Sequence, residues 1–255
     1  MQNKFPEKSD YPESFDILDN PYKNIDLYMR LCVSSSSAYF ETDPFTKYLF
    51  LKRFYLVENY IKNTDGRRFK KILDVGSGIG FFIPILASLG DRVTALDYAD
   101  DVLDYARFMV AKRDIKNVDF VRGDIQSLPF ADKTFDLIVC MSVLEHFKNP
   151  VKPLSELKRV MSSGGLLVTG YPTETPLFHF LHNELSRISP KRRRLNRIFK
   201  DEKPSEKFAA PHLSNEQTIT EAIRHTGFKT EYSKFISLLP LFLKLYKINF
   251  LRNES

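Results

Sequence analysis

From Lys70 onward, short apolar runs alternate with stretches whose apolar residues recur every three or four positions. Ile72–Val75, Arg92–Leu96 with Asp97 at its end, Val118–Val121, Phe135–Met141 and Leu166–Thr169 predict five strands. Phe81–Leu89, Asp100–Arg113 and Pro150–Met161 predict the helices between them. Pro84 fits the first of these only because it lies near the helix start. Near-continuous apolar strands joined by helical crossovers imply an α/β chain: a doubly wound, mostly parallel sheet with helices on both faces.

The flanks read differently. Asp43-Pro44 marks a helix start, with Asp43 as cap, and Phe45, Tyr48, Leu49, Leu56 and Tyr60 fall on or near one face up to about Lys62. Asp65-Gly66 closes that helix. After the fifth strand the rhythm breaks between Pro172 and Pro211, then resumes with a helix over Asn215–Thr226, a stop at Gly227 and a sixth strand over Phe228–Phe235. The tail, Ile236–Leu251, is mostly apolar but contains Pro240, Lys244 and Lys247. The chain thus divides into a loop and helical cap (1–68), a core (69–171), an insertion (172–211) and a C-terminal helix, strand and apolar tail (212–255).

Charge adds one local feature. The net charge is +6, yet Arg187, Lys191, Arg192, Arg193, Arg194, Arg197 and Lys200 supply seven positive charges with no acid among them. The remaining 31 basic residues face 32 acidic ones, so the body is near neutral and a global preference for nucleic acid is not implied. No nucleic-acid recognition motif accompanies the run, and no specific nucleic acid is expected. Two distant cysteines, Cys32 and Cys140, argue against a disulfide framework, and no metal-type spacing is present. Met1–Asn20 lacks the apolar core of a signal peptide, and no uncharged apolar run reaches the roughly 20 residues that span a bilayer. A cytoplasmic chain is the expectation.

The chemistry concentrates after the first strand, in Asp74-Val75-Gly76-Ser77-Gly78-Ile79-Gly80. Glycines let a strand turn sharply into a helix and let a ligand approach the backbone. Phe81 stands where a dinucleotide fingerprint needs its third glycine, and Asp74 would repel a pyrophosphate. A ligand with a cationic end fits better. Asp97 ends the second strand, where an acid can accept the hydroxyls of a ribose. Asp124 follows the third, where a carboxylate can accept from an adenine amino group while the Ile125 N–H reaches a ring nitrogen. All three acids lie at the carboxyl ends of parallel strands, the ligand rim of open α/β sheets.

These residues carry a resemblance. Leu73–Gly80, Ala95–Ala99, Gly123–His146 and the Leu154–Thr169 helix-turn-strand look like class I S-adenosylmethionine-dependent methyltransferases, in particular the group that includes the ubiquinone and menaquinone C-methyltransferases. The resemblance covers about Phe69–Tyr171 and is specific for the cofactor rather than the acceptor. It implies a Rossmann-like sheet and a cofactor, S-adenosyl-L-methionine, held by Asp74, Gly76, Ser77, Gly78, Gly80, Asp97, Tyr98, Asp124, Ile125, Cys140 and Met141. The methionine part falls to Asp74 and the glycines, the ribose to Asp97, and the adenine to Asp124 and Ile125. Cys140–Ser142 would line the sulfonium end through backbone groups.

Methyl transfer needs positioning above all, and a base only where the acceptor must lose a proton. His146 is the first candidate base, against a plain structural role in a turn; Glu145 reads as a loop or capping residue. Tyr171, His179, His182 and His212 are weaker candidates near the acceptor region. Tyr39 and Phe40 either close over the cofactor or simply pack. A small or lipid-like acceptor is expected, with the apolar Phe178, Phe180 and Leu181 just before the basic run. Residues 187–200 and 235–251 combine basic and apolar character as an anionic membrane surface would require, so peripheral membrane contact is expected. No clear hairpin turn separates the sixth strand from the tail, so the antiparallel seventh strand of such folds is expected to be altered or replaced by helix. Two rivals stand beside this reading: a nucleotide-linked oxidoreductase, and a non-catalytic cofactor-binding assembly protein on the same fold.

Overall fold

A computed structural model describes residues 4–18, 31, 40, 44–66, 68–173, 212–237 and 244–254. Seven strands form one sheet: β1 (Phe69–Val75), β2 (Gly90–Asp97), β3 (Val118–Arg122), β4 (Phe135–Met141), β5 (Met161–Pro172), β6 (Lys229–Ser237) and β7 (Lys244–Arg252). Their order is β3-β2-β1-β4-β5-β7-β6. β1 to β5 pair in parallel, while β7 runs antiparallel between β5 and β6.

Alternation along the strands explains why both faces are covered. Leu137 and Val139 point into one core layer, with Phe54 and Val57 of α1 (Pro44–Tyr60) and Ile85 and Leu86 of α2 (Ile83–Leu89). Ile138 and Cys140 point into the other, with Leu154 and Leu157 of α4 (Val151–Val160) and Ile219 and Ile223 of α5 (Glu216–His225). A third cluster seats Val102, Ala106 and Met109 of α3 (Asp100–Lys112) against Ile83, Ala95 and the N-terminal Tyr11 and Phe15. A period of two on the strands and of 3.6 on the helices is the physical source of this layering. Each buried large apolar side chain contributes about 1.5–3 kcal/mol to holding it.

The core elements match their expected positions to within a few residues. The helix of the cap region begins at Pro44; Asp43, its expected cap, lies outside the described residues. A π-type turn over Ile61–Asp65 follows α1 and stops at Gly66, whose φ of 60° lets its N–H donate to the Ile61 carbonyl. Phe54 and Val57 of α1, with Ile61 just beyond its end, are buried; of the expected face, Leu56 and Tyr60 pack partly buried against this core, whereas Tyr48 is exposed.

One expectation needs correction. The tail does not replace the seventh strand: Lys244–Arg252 is that strand, in the sheet interior. An interior strand buries both faces, so Ile248, Asn249, Phe250 and Leu251 are consecutive buried residues and show no alternation to reveal a strand. Within the expected 235–251 membrane patch, Ile236, Ile248, Phe250 and Leu251 are buried in the core, while 238–243 lie outside the described residues. The 187–200 run, with Phe178, His179, Phe180, Leu181 and His182, lies outside the described residues.

Candidate functional site

β1 delivers Asp74 and the bend to the carboxyl rim of the sheet. Gly76, Gly78 and Gly80 all have positive φ, at 70°, 54° and 80°, a region that L side chains rarely adopt. Gly76 and Ser77 donate their N–H groups to the Leu96 carbonyl at 2.8 and 3.1 Å, which ties the bend to β2. A Cβ on Gly76 would stand 2.3 Å from Val143 Cγ2, and one on Gly80 would press on Ala106 and Ile83. The bend is therefore a cradle that is open at Gly76, partly open at Ser77 and Gly78, and filled by side chains behind it.

Asp74 is 5% exposed, and its Oδ2 has no hydrogen-bond partner among the described residues. Burial, and then the neighbouring Asp97, push its carboxyl up to about 7. Asp97 is brought to the same place: its Oδ2 accepts the Gly78 N–H at 2.9 Å and its Oδ1 the Ala99 N–H at 3.0 Å. Burial raises Asp97, and the backbone donors pull the other way. An enclosed pair of acids with one oxygen unpartnered is costly in isolation and favourable beside a cation. The α-ammonium of a methionine moiety has that charge and those donors.

The remaining expected residues fall around this pair. Gly123 donates to the Asp97 carbonyl at 3.0 Å, which places Asp124 beside β2. Asp124 itself is exposed, with Oδ1 accepting the Gln126 N–H at 2.8 Å; Ile125 is buried in the core layer. Tyr98 is 72% exposed at the rim. Cys140 is fully buried, and burial holds its thiol well above the ordinary range, with Glu145 and Asp74 adding to the effect. It is no nucleophile, so only its backbone is available to a ligand. Met141 packs into the opposite layer. Ser77 presents a buried hydroxyl with no partner among the described residues.

Beyond the expected sulfonium end lies a group only partly foreseen. Ser142, with φ of 60°, accepts from Arg53 Nη1 at 2.9 Å and shares a 2.9 Å bond with the Tyr246 hydroxyl. Arg53 is 5% exposed and lies over the rings of Phe50, Phe54 and Tyr246. Burial raises the Tyr246 hydroxyl above its usual range, so it acts as a neutral donor or acceptor. Arg53 and Tyr246 were missed: the one visible signal was an arginine inside an apolar helix, and their meeting across about 190 residues has none. Tyr171 joins the core instead of the acceptor pocket, its hydroxyl accepting the Asn249 amide at 3.1 Å. Phe40 packs edge-on against Tyr11, Phe15 and Phe81; Tyr39 lies outside the described residues. His146 is half-buried on the turn Leu144–His146, beside Glu145 and His212.

Strand order, with β7 antiparallel beside a parallel core and helices on both faces, defines the class: a Rossmann-like, class I methyltransferase fold. Residues 73–169 match the family model described as a methyltransferase domain. A solved S-adenosylmethionine-dependent methyltransferase from Aquifex aeolicus shares the fold at a TM-score of 0.53 and 21% identity, over 91% of this chain and 96% of that one. The chain is 30% identical over 130 residues to the uncharacterized methyltransferase YcgJ of Bacillus subtilis, covering 50% of this chain and 51% of that protein. It is 35% identical over 124 residues to a demethylmenaquinone methyltransferase of Renibacterium salmoninarum, covering 48% and 50% respectively. It spans about half the length of these curated relatives. Among solved structures, the [4+2]-cyclase SpnF shares the fold at a TM-score of 0.58 and 17% identity, over 78% of this chain and 80% of that one. The fold alone therefore does not specify the chemistry. Neither rival reading, oxidoreductase or non-catalytic assembly protein, is favoured by these matches.

Proposed function

We propose that this chain transfers the methyl group of S-adenosylmethionine to a small, lipid-like acceptor. One observation carries the reading: the sealed, unpartnered Oδ2 of Asp74 beside a glycine cradle. Bound there, the cofactor supplies a methyl group already activated on a sulfonium. Asp74 holds the ammonium end, and the accessible backbone of Gly76–Gly78 accommodates the methionine chain. Asp97 keeps the lone pairs left by Gly78 and Ala99 for ribose hydroxyls. Tyr98, Asp124 and Ile125 border the adenine. The backbone of Cys140–Ser142, buttressed by Arg53 and Tyr246, faces the transferring end. His146 is the candidate base. Orientation of two reactants in a site that excludes water supplies the acceleration.

The acceptor class rests on the relative named for demethylmenaquinone, a lipid-like quinone. No described helix is long and apolar enough to cross a membrane. Membrane contact then draws on the basic run 187–200 and on the apolar residues of 238–243 that precede β7. Flotation with anionic vesicles that disappears at high salt is the expected outcome, and no flotation removes the membrane element. The central test is transfer of labelled methyl to lipid, protein and RNA fractions of a cell extract. Label in the lipid fraction is expected. Label confined to protein or RNA overturns the acceptor class, and no calorimetric heat with S-adenosylhomocysteine overturns the cofactor assignment.

A further inference from the structure

The turn Leu144–His146 follows β4 and places Glu145 and His146 next to each other. The chain returns to this point at His212–Ser214. There the Leu213 and Ser214 N–H groups donate to the Glu145 carbonyl at 2.7 and 3.1 Å, and the Ser214 hydroxyl to the Phe147 carbonyl at 2.7 Å. These bonds fix the backbone of His212 against the turn. The two imidazole centroids are 5.2 Å apart, and one ligating atom each of Glu145, His146 and His212 lies within 4.8 Å of the others. Glu145 is 2% exposed, His146 half-buried and His212 exposed. The carboxylate forms the floor and the imidazoles the rim of a small three-sided cup.

Two neutral imidazoles and a carboxylate suit a first-row transition metal, whereas magnesium and calcium prefer all-oxygen shells. Ligand atoms around zinc sit about 3.3 Å apart, given metal–ligand distances of about 2.0–2.2 Å, so modest side-chain rotations close the cup. We propose that Glu145, His146 and His212 bind one divalent transition-metal ion, with zinc the best match, leaving a fourth position open. The site adjoins the candidate transfer centre, since the Glu145 charge bears on both Cys140 and Tyr246. Its catalytic use rests on the methyl-transfer reading above, with His146 serving as a metal ligand in place of a direct base. An acceptor hydroxyl at the open position loses its proton to water more readily. Its oxygen then forms the new C–O bond as the methyl–sulfur bond breaks, the electron pair passing to sulfur.

Binding is testable without turnover. Chelator-treated full-length protein titrated with zinc alone is expected to take up one equivalent, and cobalt to give the visible absorption of a low-coordinate site. His146→Ala and His212→Ala should each weaken zinc binding about 100-fold or more, with S-adenosylhomocysteine affinity retained. His212→Gln, at an exposed position, guards against loss of folding in the His146 variant. Absence of stoichiometric uptake, or uptake unchanged by His212→Ala, overturns the proposal. Zinc uptake without any affinity for S-adenosylhomocysteine would instead overturn the methyl-transfer reading and leave the metal site standing.

Discussion

Asp74 combines a sealed carboxylate oxygen with a proton affinity shifted to about 7. Because the folded value lies above the unfolded one, the native state binds the proton more tightly. Stability therefore falls as pH rises from about 4 to about 7, and the full cost is present above that window. Asp74→Asn removes this cost: the ligand-free variant should exceed the wild type by about 4 kcal/mol near pH 8 in urea unfolding, with the difference nearly gone near pH 4. The same substitution should weaken S-adenosylhomocysteine binding by about 100-fold, equivalent to about 2.7 kcal/mol, through loss of the ammonium partner. Gly76→Ala tests the cradle. Its φ of 70° and the 2.3 Å approach to Val143 predict about 2 kcal/mol or more of destabilisation by urea titration, together with loss of calorimetric cofactor binding.

At the level of elements, β7 is the key piece, because it joins the parallel core to β6. Its Asn249 is 3% exposed. The amide donates to the Tyr171 hydroxyl at 3.1 Å and approaches Thr169 Oγ1 at 3.4 Å, and its Oδ1 accepts from Ser233 at 2.8 Å. One side chain thus serves β5, β7 and β6. Asn249→Ala strands the buried Tyr171 hydroxyl and should cost about 2 kcal/mol in urea unfolding; Ser233→Ala, at an exposed position, should cost about 0.5 kcal/mol. The polar residue inside an apolar strand looked like a break in the pattern, and the missing alternation concealed the strand. Both features have the same cause, a central position with neighbours on each edge and helices on each face.

Across the whole molecule, the N-terminal arm packs against the glycine bend. The Tyr11 hydroxyl donates to the Ile79 carbonyl at 3.2 Å, between Gly78 and Gly80. Phe5 stacks on Phe81, Tyr11 on Phe15, and Arg113 pairs with Asp10 at 3.2 Å. Lys4 reaches the buried Glu58 on α1, which also pairs with Lys62 at 2.9 Å. A ligand that orders the loop must therefore stabilise the arm by linkage. Limited proteolysis within residues 4–18 is expected to slow about tenfold in saturating S-adenosylhomocysteine, and the protection to shrink in Tyr11→Phe. Unchanged cleavage would separate the arm from the site.

Sequence alone determined the parallel core, the bend after β1 and the acids at the strand ends. Each of these is local: strand periodicity, glycine spacing and chain position specify them within a few dozen residues. The tertiary structure decided what depends on distant segments meeting. It inserted β7 between β5 and β6, set Arg53 beside Ser142 and Tyr246, and returned His212 to Glu145 and His146. Contacts across some 60 to 190 residues leave no period along the chain, because they arise from sheet closure and loop return, which only the packed whole selects.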